Sequence, residues 1–224
     1  MFLIAWAYRR LIKSQLGATE VFIWNSVTRS SNPSVNTPYS GSFTQDKPIV
    51  GLQFPDIARP AASGAHVDQD PTGSLRICKL SAGEDLFEKY SRVQQINLWR
   101  PLRGPVTSSP LAVCDGSTLS DACKGYSYGL FASRINVLYG GQSHCYQVGM
   151  IGETLIDQHA ATEEQKWYYI KRQEPDECLL LKIYDSKPGN AEYTPHTGVD
   201  DLHGVDGPVT ARESIEVRLV ACYV

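Results

Sequence analysis

The sequence predicts a mainly β fold with flanking helices, arranged as a jelly roll. Three observations carry that prediction. Residues 3–16 hold Leu3, Ile4, Ala7, Leu11 and Ile12 at near-helical spacing and stop at Gly17, which gives one short amphipathic helix at the start. From residue 95 onward the apolar pattern shortens to runs of β-branched and aromatic residues, each bounded by Pro, Gly, Asp or Ser. Finally, 224 residues with 42% hydrophobic content suit one domain with a full core. Many short strands behind a helical start make the jelly roll the economical arrangement.

The elements follow in order. Val21-Phe22-Ile23-Trp24 reads as a buried strand. Residues 29–63, rich in Ser, Pro, Asn, Thr and Gly, are long for a structureless connection and have the character of a lid or binding segment. A short strand covers 64–68. Ser81-Ala82-Gly83-Glu84 is a capping-box pattern, expected to start a helix carrying Leu86, Phe87 and Tyr90. Strands are predicted at 95–100, 111–114, 166–171, 178–184 and 213–223. Trp167, Tyr168 and Tyr169 then read as strand aromatics belonging to the core.

Composition excludes several functions. The formal charge of −3, from 24 acids against 21 bases, lacks the basic excess that drives phosphate-backbone binding, so nucleic acid is not expected as a partner. The apolar opening at 1–7 falls far short of the roughly 20 residues that span a bilayer. Tyr8-Arg9-Arg10 follows where a signal peptide would have small residues, so the chain is expected to be soluble, cytoplasmic and not exported. Six cysteines without a Cys-x-x-Cys pair, and no usable Asn-x-Ser/Thr site, argue against a secreted disulfide scaffold and against structural zinc. Buried free thiols are the expectation. Gly125-Tyr126-Ser127-Tyr128-Gly129 matches a nucleophile elbow, with Asp185 and His196 following in hydrolase order. The residues before it, 120–125, are polar and turn-like where the elbow needs a buried strand.

His66-Val67-Asp68 lies in the short strand, where positions i and i+2 project to one face. One imidazole and one carboxylate so placed can grip a metal ion, and a second histidine would complete the facial triad that suits non-haem iron(II). A solvated strand end has the same pattern. Downstream, Thr194-Pro195-His196-Thr197-Gly198 precedes Arg212-Glu213-Ser214, with Arg212 sixteen positions after His196. Arg-x-Ser on a strand puts a guanidinium and a hydroxyl on one face, able to hold the far carboxylate of a small diacid through two charge-assisted bonds. The alternation of Arg212, Ser214, Glu216 and Arg218 with Ile215, Val217 and Leu219 is equally that of any half-buried strand. His203, in a Gly- and Asp-rich loop, is read as a solvated loop residue.

Taken in order, HVDQ (66–69), INLWRPLRGPV (96–106), PLAVCD (110–115), KWYYIKRQEPDECLLLKIYDS (166–186), TPHTGV (194–199) and RESIEVR (212–218) resemble the iron(II)/2-oxoglutarate-dependent dioxygenases. Within them the strings are similar to a mostly fungal branch that contains gibberellin desaturase-like enzymes and the cephamycin 7-alpha-hydroxylase partner protein. The resemblance spans most of 64–223. It implies a double-stranded β-helix, a cupin-like jelly roll, forming one oxygenase domain over 1–224, with helix, strand and long loop at 1–63 and the β-helix core at 64–224. It also implies that His66, Asp68 and His196 are the catalytic metal ligands and hold Fe(II), and that Arg212 with Ser214 fixes 2-oxoglutarate. Asn97 and Arg100 become cosubstrate or substrate residues, although i and i+3 on a strand point to opposite faces unless a bulge intervenes. The implied reaction consumes O₂ and 2-oxoglutarate and hydroxylates or desaturates a small specialised metabolite; the alternative is an inactive accessory or binding member of the same fold. Residues 131–151 have no counterpart in the branch: they are either a lineage insertion or the product of an imperfect gene model such as a retained intron, and are expected to be peripheral.

Overall fold

The computed structural model describes residues 2–32, 65–118, 124–131, 135–139, 142–146, 150–156, 165–187, 193–199 and 208–224; residues 2–7 and the strands between 124 and 156 are described through their backbone. Helix α1 (Phe2–Leu16) opens the chain. Tyr8, Ile12 and Leu16, four residues apart, form the stripe that packs on the sheet below. Gly17 ends the helix at φ 63°, a left-handed conformation that glycine adopts without penalty. Strand β1 (Glu20–Ser30) follows and extends well past the predicted Trp24.

Strand β2 (His66–Val67) is only two residues long. Helix α2 (Pro71–Ala82) comes directly after it, a helix the sequence reading lacked. Its start is conventional: Asp70 accepts a hydrogen bond from Gly73 N at 2.6 Å, and Pro71 occupies the first turn. The capping-box expectation at 81–84 is corrected accordingly. Ser81 and Ala82 close α2, and Gly83 leaves it at φ 103°, a conformation no helix interior contains. Helix α3 (Leu86–Lys89) is a single turn begun at Asp85, with no side-chain cap, and Tyr90 lies beyond it.

The remaining strands are β3 (Arg92–Pro101), β4 (Leu111–Cys114), β5 (Lys124–Phe131), β6 (Ile135–Tyr139), β7 (Gln142–Tyr146), β8 (Met150–Ile156), β9 (Trp167–Tyr169), β10 (Leu179–Asp185), β11 (His196–Gly198) and β12 (Glu213–Tyr223). They form two six-stranded antiparallel sheets, ordered β10-β3-β12-β1-β6-β7 and β5-β8-β2-β11-β4-β9. Two such sheets face to face are the expected jelly roll. The interval 131–151 holds the end of β5, the hairpin β6–β7 and the first residues of β8; the hairpin joins its sheet through one register pair, Ile23 with Leu138.

Strand alternation sorts the core. Ile96 and Leu98 of β3 pack with Ile215, Val217, Leu219 and Ala221 of β12 and with Ile12 of α1 on the outer face of the first sheet. A second cluster joins Phe22, Trp24, Val93 and Val220 to Ile77 and Cys78 of α2. A third lies between the sheets, where Trp99, Leu181 and Ile183 meet Ala65, Val67 and Leu111. A bulge at Ile23/Asn25 changes the parity of β1, so that Asn25, Val27 and Arg29 stand opposite Arg218, Glu216 and Ser214. Cys78, Cys114 and Cys222 are buried free thiols and Cys178 is exposed. Among the described residues no helix is long and apolar enough to cross a membrane.

Candidate metal centre

The site begins with a strand register. His196 of β11 lies directly opposite His66 of β2, and directly opposed residues in an antiparallel pair share a face. Their rings accordingly sit 4.5 Å apart between centroids, tilted at 53°. Asp68 follows at the bend after β2, and its Oδ1 approaches His66 Nε2 to 3.7 Å. Each of the three residues offers one ligand atom, and these atoms all lie within 4.8 Å of one another. All three residues are buried. The capped start of α2, two residues beyond Asp68, fixes the direction in which the chain leaves the site.

Protonation follows from the partners. Thr194 O, which can only accept, lies 2.9 Å from His196 Nδ1, so that nitrogen carries the proton. Nε2 of the same ring is then the lone-pair nitrogen; it is buried and has no hydrogen-bond partner. Burial holds the His196 imidazole below its ordinary pKa against the opposing charge of Asp68, which keeps the ring neutral as a metal ligand must be. Burial alone would raise the Asp68 carboxyl. The Arg218 guanidinium beside it and the nearby His66 and His196 imidazoles hold it instead well below the usual carboxylate range. One nitrogen from each imidazole and one carboxylate oxygen, with the orphaned His196 Nε2 among them, are a donor set that fits iron(II).

A small cavity, partly open to solvent, adjoins these three residues, with Arg29, Trp99, Leu111, Arg212 and Glu216 in its wall. Arg212 is 3% exposed. Its backbone N donates to Ser31 Oγ at 2.7 Å, its Nη1 donates to Ser109 O at 2.5 Å, and its guanidinium carbon stands 5.6 Å from the Trp99 ring centre. Ser214 shares the inward face of β12 with Arg212, and its buried Oγ has no hydrogen-bond partner.

Asn97 also points inward, where its Nδ2 donates to Asp68 Oδ2 and to Glu216 Oε1. Arg100 does not join them. The register of β3 against β12 runs without a bulge from Asn97 to Pro101, which leaves Arg100 opposite Ile215 on the outer face; its Nε donates to Pro101 O at 3.3 Å. The placement of Arg100 in the pocket is therefore corrected by simple strand parity. Three residues of the site were not singled out from sequence: Glu216 and Arg218, which continue the inward alternation of Arg212 and Ser214, and Arg29, brought inward by the bulge in β1. The Gly125–Gly129 motif lies within β5, with Ser127 paired to Thr154, so the strand-turn-helix of a nucleophile elbow is absent there. Tyr168 and Tyr169 are 55% and 44% exposed, so only Trp167 of that trio packs into the core. His203 lies outside the described residues.

Similarity to known proteins follows the same lines. Residues 6–222 match a family model described as an oxidoreductase/YMDC permease-like domain. Aspirochlorine biosynthesis protein N of Aspergillus oryzae is 35% identical over 205 residues, covering 87% of this chain and 79% of the relative. The hydroxylase/desaturase asaB of Aspergillus flavus is 34% identical over 199 residues, covering 82% and 75%. The Fe(II)/2-oxoglutarate-dependent dioxygenase nvfI of Aspergillus novofumigatus is 28% identical over 93% of this chain, which spans 62% of that relative. A solved structure of the iron and alpha-ketoglutarate-dependent endoperoxidase NvfI superposes with a TM-score of 0.68 at 24% identity, covering 96% of this chain and 66% of that one, and shares the fold. With both imidazoles and the carboxylate converging beneath that shared jelly roll, the chain belongs to the family that this model describes, among the fungal hydroxylase/desaturase members of the iron(II)/2-oxoglutarate-dependent dioxygenases.

Proposed function

We propose that the protein is a non-haem iron(II)- and 2-oxoglutarate-dependent hydroxylase or desaturase acting on a small specialised metabolite. In this proposal His66, Asp68 and His196 hold the iron, and Arg212 with Ser214 holds the far carboxylate of 2-oxoglutarate. The observation that carries it is the convergence of three buried ligand atoms within 4.8 Å beside a cavity walled by Arg212. Iron in this donor set, with 2-oxoglutarate and O₂, supplies the oxidising power to remove hydrogen from an unactivated C–H bond while the keto acid leaves as succinate and CO₂.

The chain's own residues do the rest. Thr194 O fixes the His196 tautomer, so a lone pair faces the site without any proton first having to leave. Arg212 keeps its charge at every working pH and offers a planar fork to a carboxylate. Trp99 and Leu111 give the cavity apolar walls, which strengthen that pairing by excluding water. Residues 1–224 form one oxygenase domain in this proposal; within 131–151 the hairpin β6–β7 ends the first sheet, while Phe131, Met150 and Ile151 belong to the β5–β8 ladder of the second.

The test is an anaerobic Fe(II) titration followed by addition of 2-oxoglutarate and O₂. Wild type binds one equivalent of iron and releases succinate, and His66→Ala does neither. A wild-type protein that binds iron and 2-oxoglutarate yet releases no succinate is a binding member of the fold, and one that binds no iron overturns the proposal.

A further inference from the structure

Asp68 is gripped from two sides. Its Oδ1, the oxygen nearest His66, accepts from Arg218 Nη2 at 3.1 Å, and its Oδ2 accepts from Asn97 Nδ2. Glu216 braces both donors, since its Oε1 accepts from Arg218 Nε at 2.7 Å and from Asn97 Nδ2 at 3.2 Å. Asp68, Asn97 and Glu216 are each at most 5% exposed, and the Arg218 side chain is 13% exposed. Asn97 and Arg218 are register partners on β3 and β12, with Glu216 two positions along the same face, so the brace is built into the sheet.

A carboxylate turns easily about its last torsion and can offer a metal one oxygen or two. Turning Oδ2 toward the histidines would take the acceptor away from Asn97 in a buried setting, where an unmet donor is penalised. The count of places on the ion makes this matter. Two imidazoles and one carboxylate oxygen fill three of the six places on an octahedral iron, a chelating keto acid fills two more, and one is left for O₂. A second oxygen from Asp68 would fill it.

We infer that Asn97 and Arg218, braced by Glu216, confine Asp68 to ligation through a single oxygen and so keep the O₂ place open. This rests on the iron site of the proposed function. It makes Asn97 a positioning residue acting through Asp68, a role distinct from contact with 2-oxoglutarate.

The experiment uses Asn97→Ala in the full chain, loaded anaerobically with Fe(II) and 2-oxoglutarate. Nitric oxide serves as the O₂ surrogate and the S = 3/2 electron paramagnetic resonance signal as the readout. The expected result is that nitric oxide affinity falls by about 10-fold or more beyond any fall in iron affinity, since losing an outer hydrogen-bond partner of a metal ligand typically costs a site about 10- to 100-fold in metal affinity or activity. Asn97→Val, a strand-favouring side chain of similar size without the amide, must behave alike and serves if the alanine variant does not fold. Unchanged nitric oxide affinity, or iron and nitric oxide affinity lost in parallel, overturns the inference and leaves Asn97 as packing. Failure of wild type to bind iron instead overturns the proposed function, and this inference with it.

Discussion

Replacing Arg212 by alanine removes the one cation that the proposal assigns to the far carboxylate of 2-oxoglutarate. Because Arg212 is 3% exposed, solvent screens this interaction little. Its Nη1 is already committed to Ser109 O, and the Trp99 ring lies 5.6 Å from the guanidinium carbon, so the side chain is held in place before any ligand arrives. A bound carboxylate that loses such a partner is left charged in a desolvated wall, at a cost of about 3–5 kcal/mol. That corresponds to roughly two to three and a half decades in Kd. Arg212→Lys should recover only part of the loss, since an ammonium is a point charge and cannot present two parallel donors. Iron should remain, because no metal-ligand contact involves Arg212. The assay is anaerobic calorimetry of 2-oxoglutarate binding to the iron-loaded wild type and both variants. Equal affinities would refute the assignment. Arg29 would then inherit the role, since it shares the cavity, whereas Arg218 is engaged with Asp68 and Glu216 and Arg100 faces away.

Three further outcomes are expected. Burial alone would raise the Asp185 carboxyl, but hydrogen bonds from Arg92, Lys187 N and Lys182 hold it well below the usual range. A depressed folded-state value stabilises above the unfolded value of about 3.9 and loses that contribution as pH falls through the folded one; urea denaturation from pH 7 down to pH 2 should therefore show a fall below about pH 4 that is shallower in Asp185→Asn. At Gly104 an added Cβ would fall 2.5 Å from Pro175 Cδ and overlap Glu174, so Gly104→Ala should lose about 1–3 kcal/mol by chemical denaturation, and an unchanged midpoint would refute that packing. Deleting the hairpin 135–146 with a short Gly/Ser link should leave a folded, iron-binding protein, because β6 and β7 form the edge of the first sheet; insoluble protein would show the hairpin to be part of the core.

Sequence alone made the strands legible wherever alternation is strict. The prediction for β12 matches its observed bounds because Ile215, Val217 and Leu219 alternate without interruption, and 111–114 succeeds through its turn-rich flanks. The candidate cluster of His66, Asp68 and His196 was legible as residue types in order, while its convergence depends on the His66–His196 register, which no local pattern encodes. Helix α2 was missed although Asp70-Pro71 is a good start signal, because Thr72, Gly73 and Ser74 dilute the apolar period that follows. The capping box at Ser81–Glu84 was persuasive in spacing and wrong in place, since Gly83 ends a helix there. Arg100 shows the opposite case: strand parity had already set it against Asn97, and the register agrees. Glu216 and Arg218 shared the parity of Arg212, yet a polar strand face and a buried brace look alike until their partner Asp68, just past β2, is known. Arg29 required a bulge that the sequence does not mark.

The first sheet ties site and stability to one constraint. Strand β12 runs between β1 and β3, and its inward face reads Arg212, Ser214, Glu216, Arg218 and then Val220 and Cys222. The outward face reads Ile215, Val217, Leu219 and Ala221, closed over by Ile12 of α1 and by Ile96 and Leu98 of β3. Because side chains alternate with a period of two, sliding β12 by one residue would bury its charges under α1 and turn its aliphatic residues into the cavity. The packing of α1 on the outer face therefore enforces the register that delivers Arg212 to the cavity and Arg218 to Asp68. At about 3.4 Å per residue, those two arginines stand roughly 20 Å apart along the strand. Between them on the same face stands Glu216, whose Oε1 accepts from Arg218 Nε at 2.7 Å. In the proposed function this leaves Arg212 to the bound carboxylate, while Arg218 is committed to Glu216 through Nε and to Asp68 through Nη2.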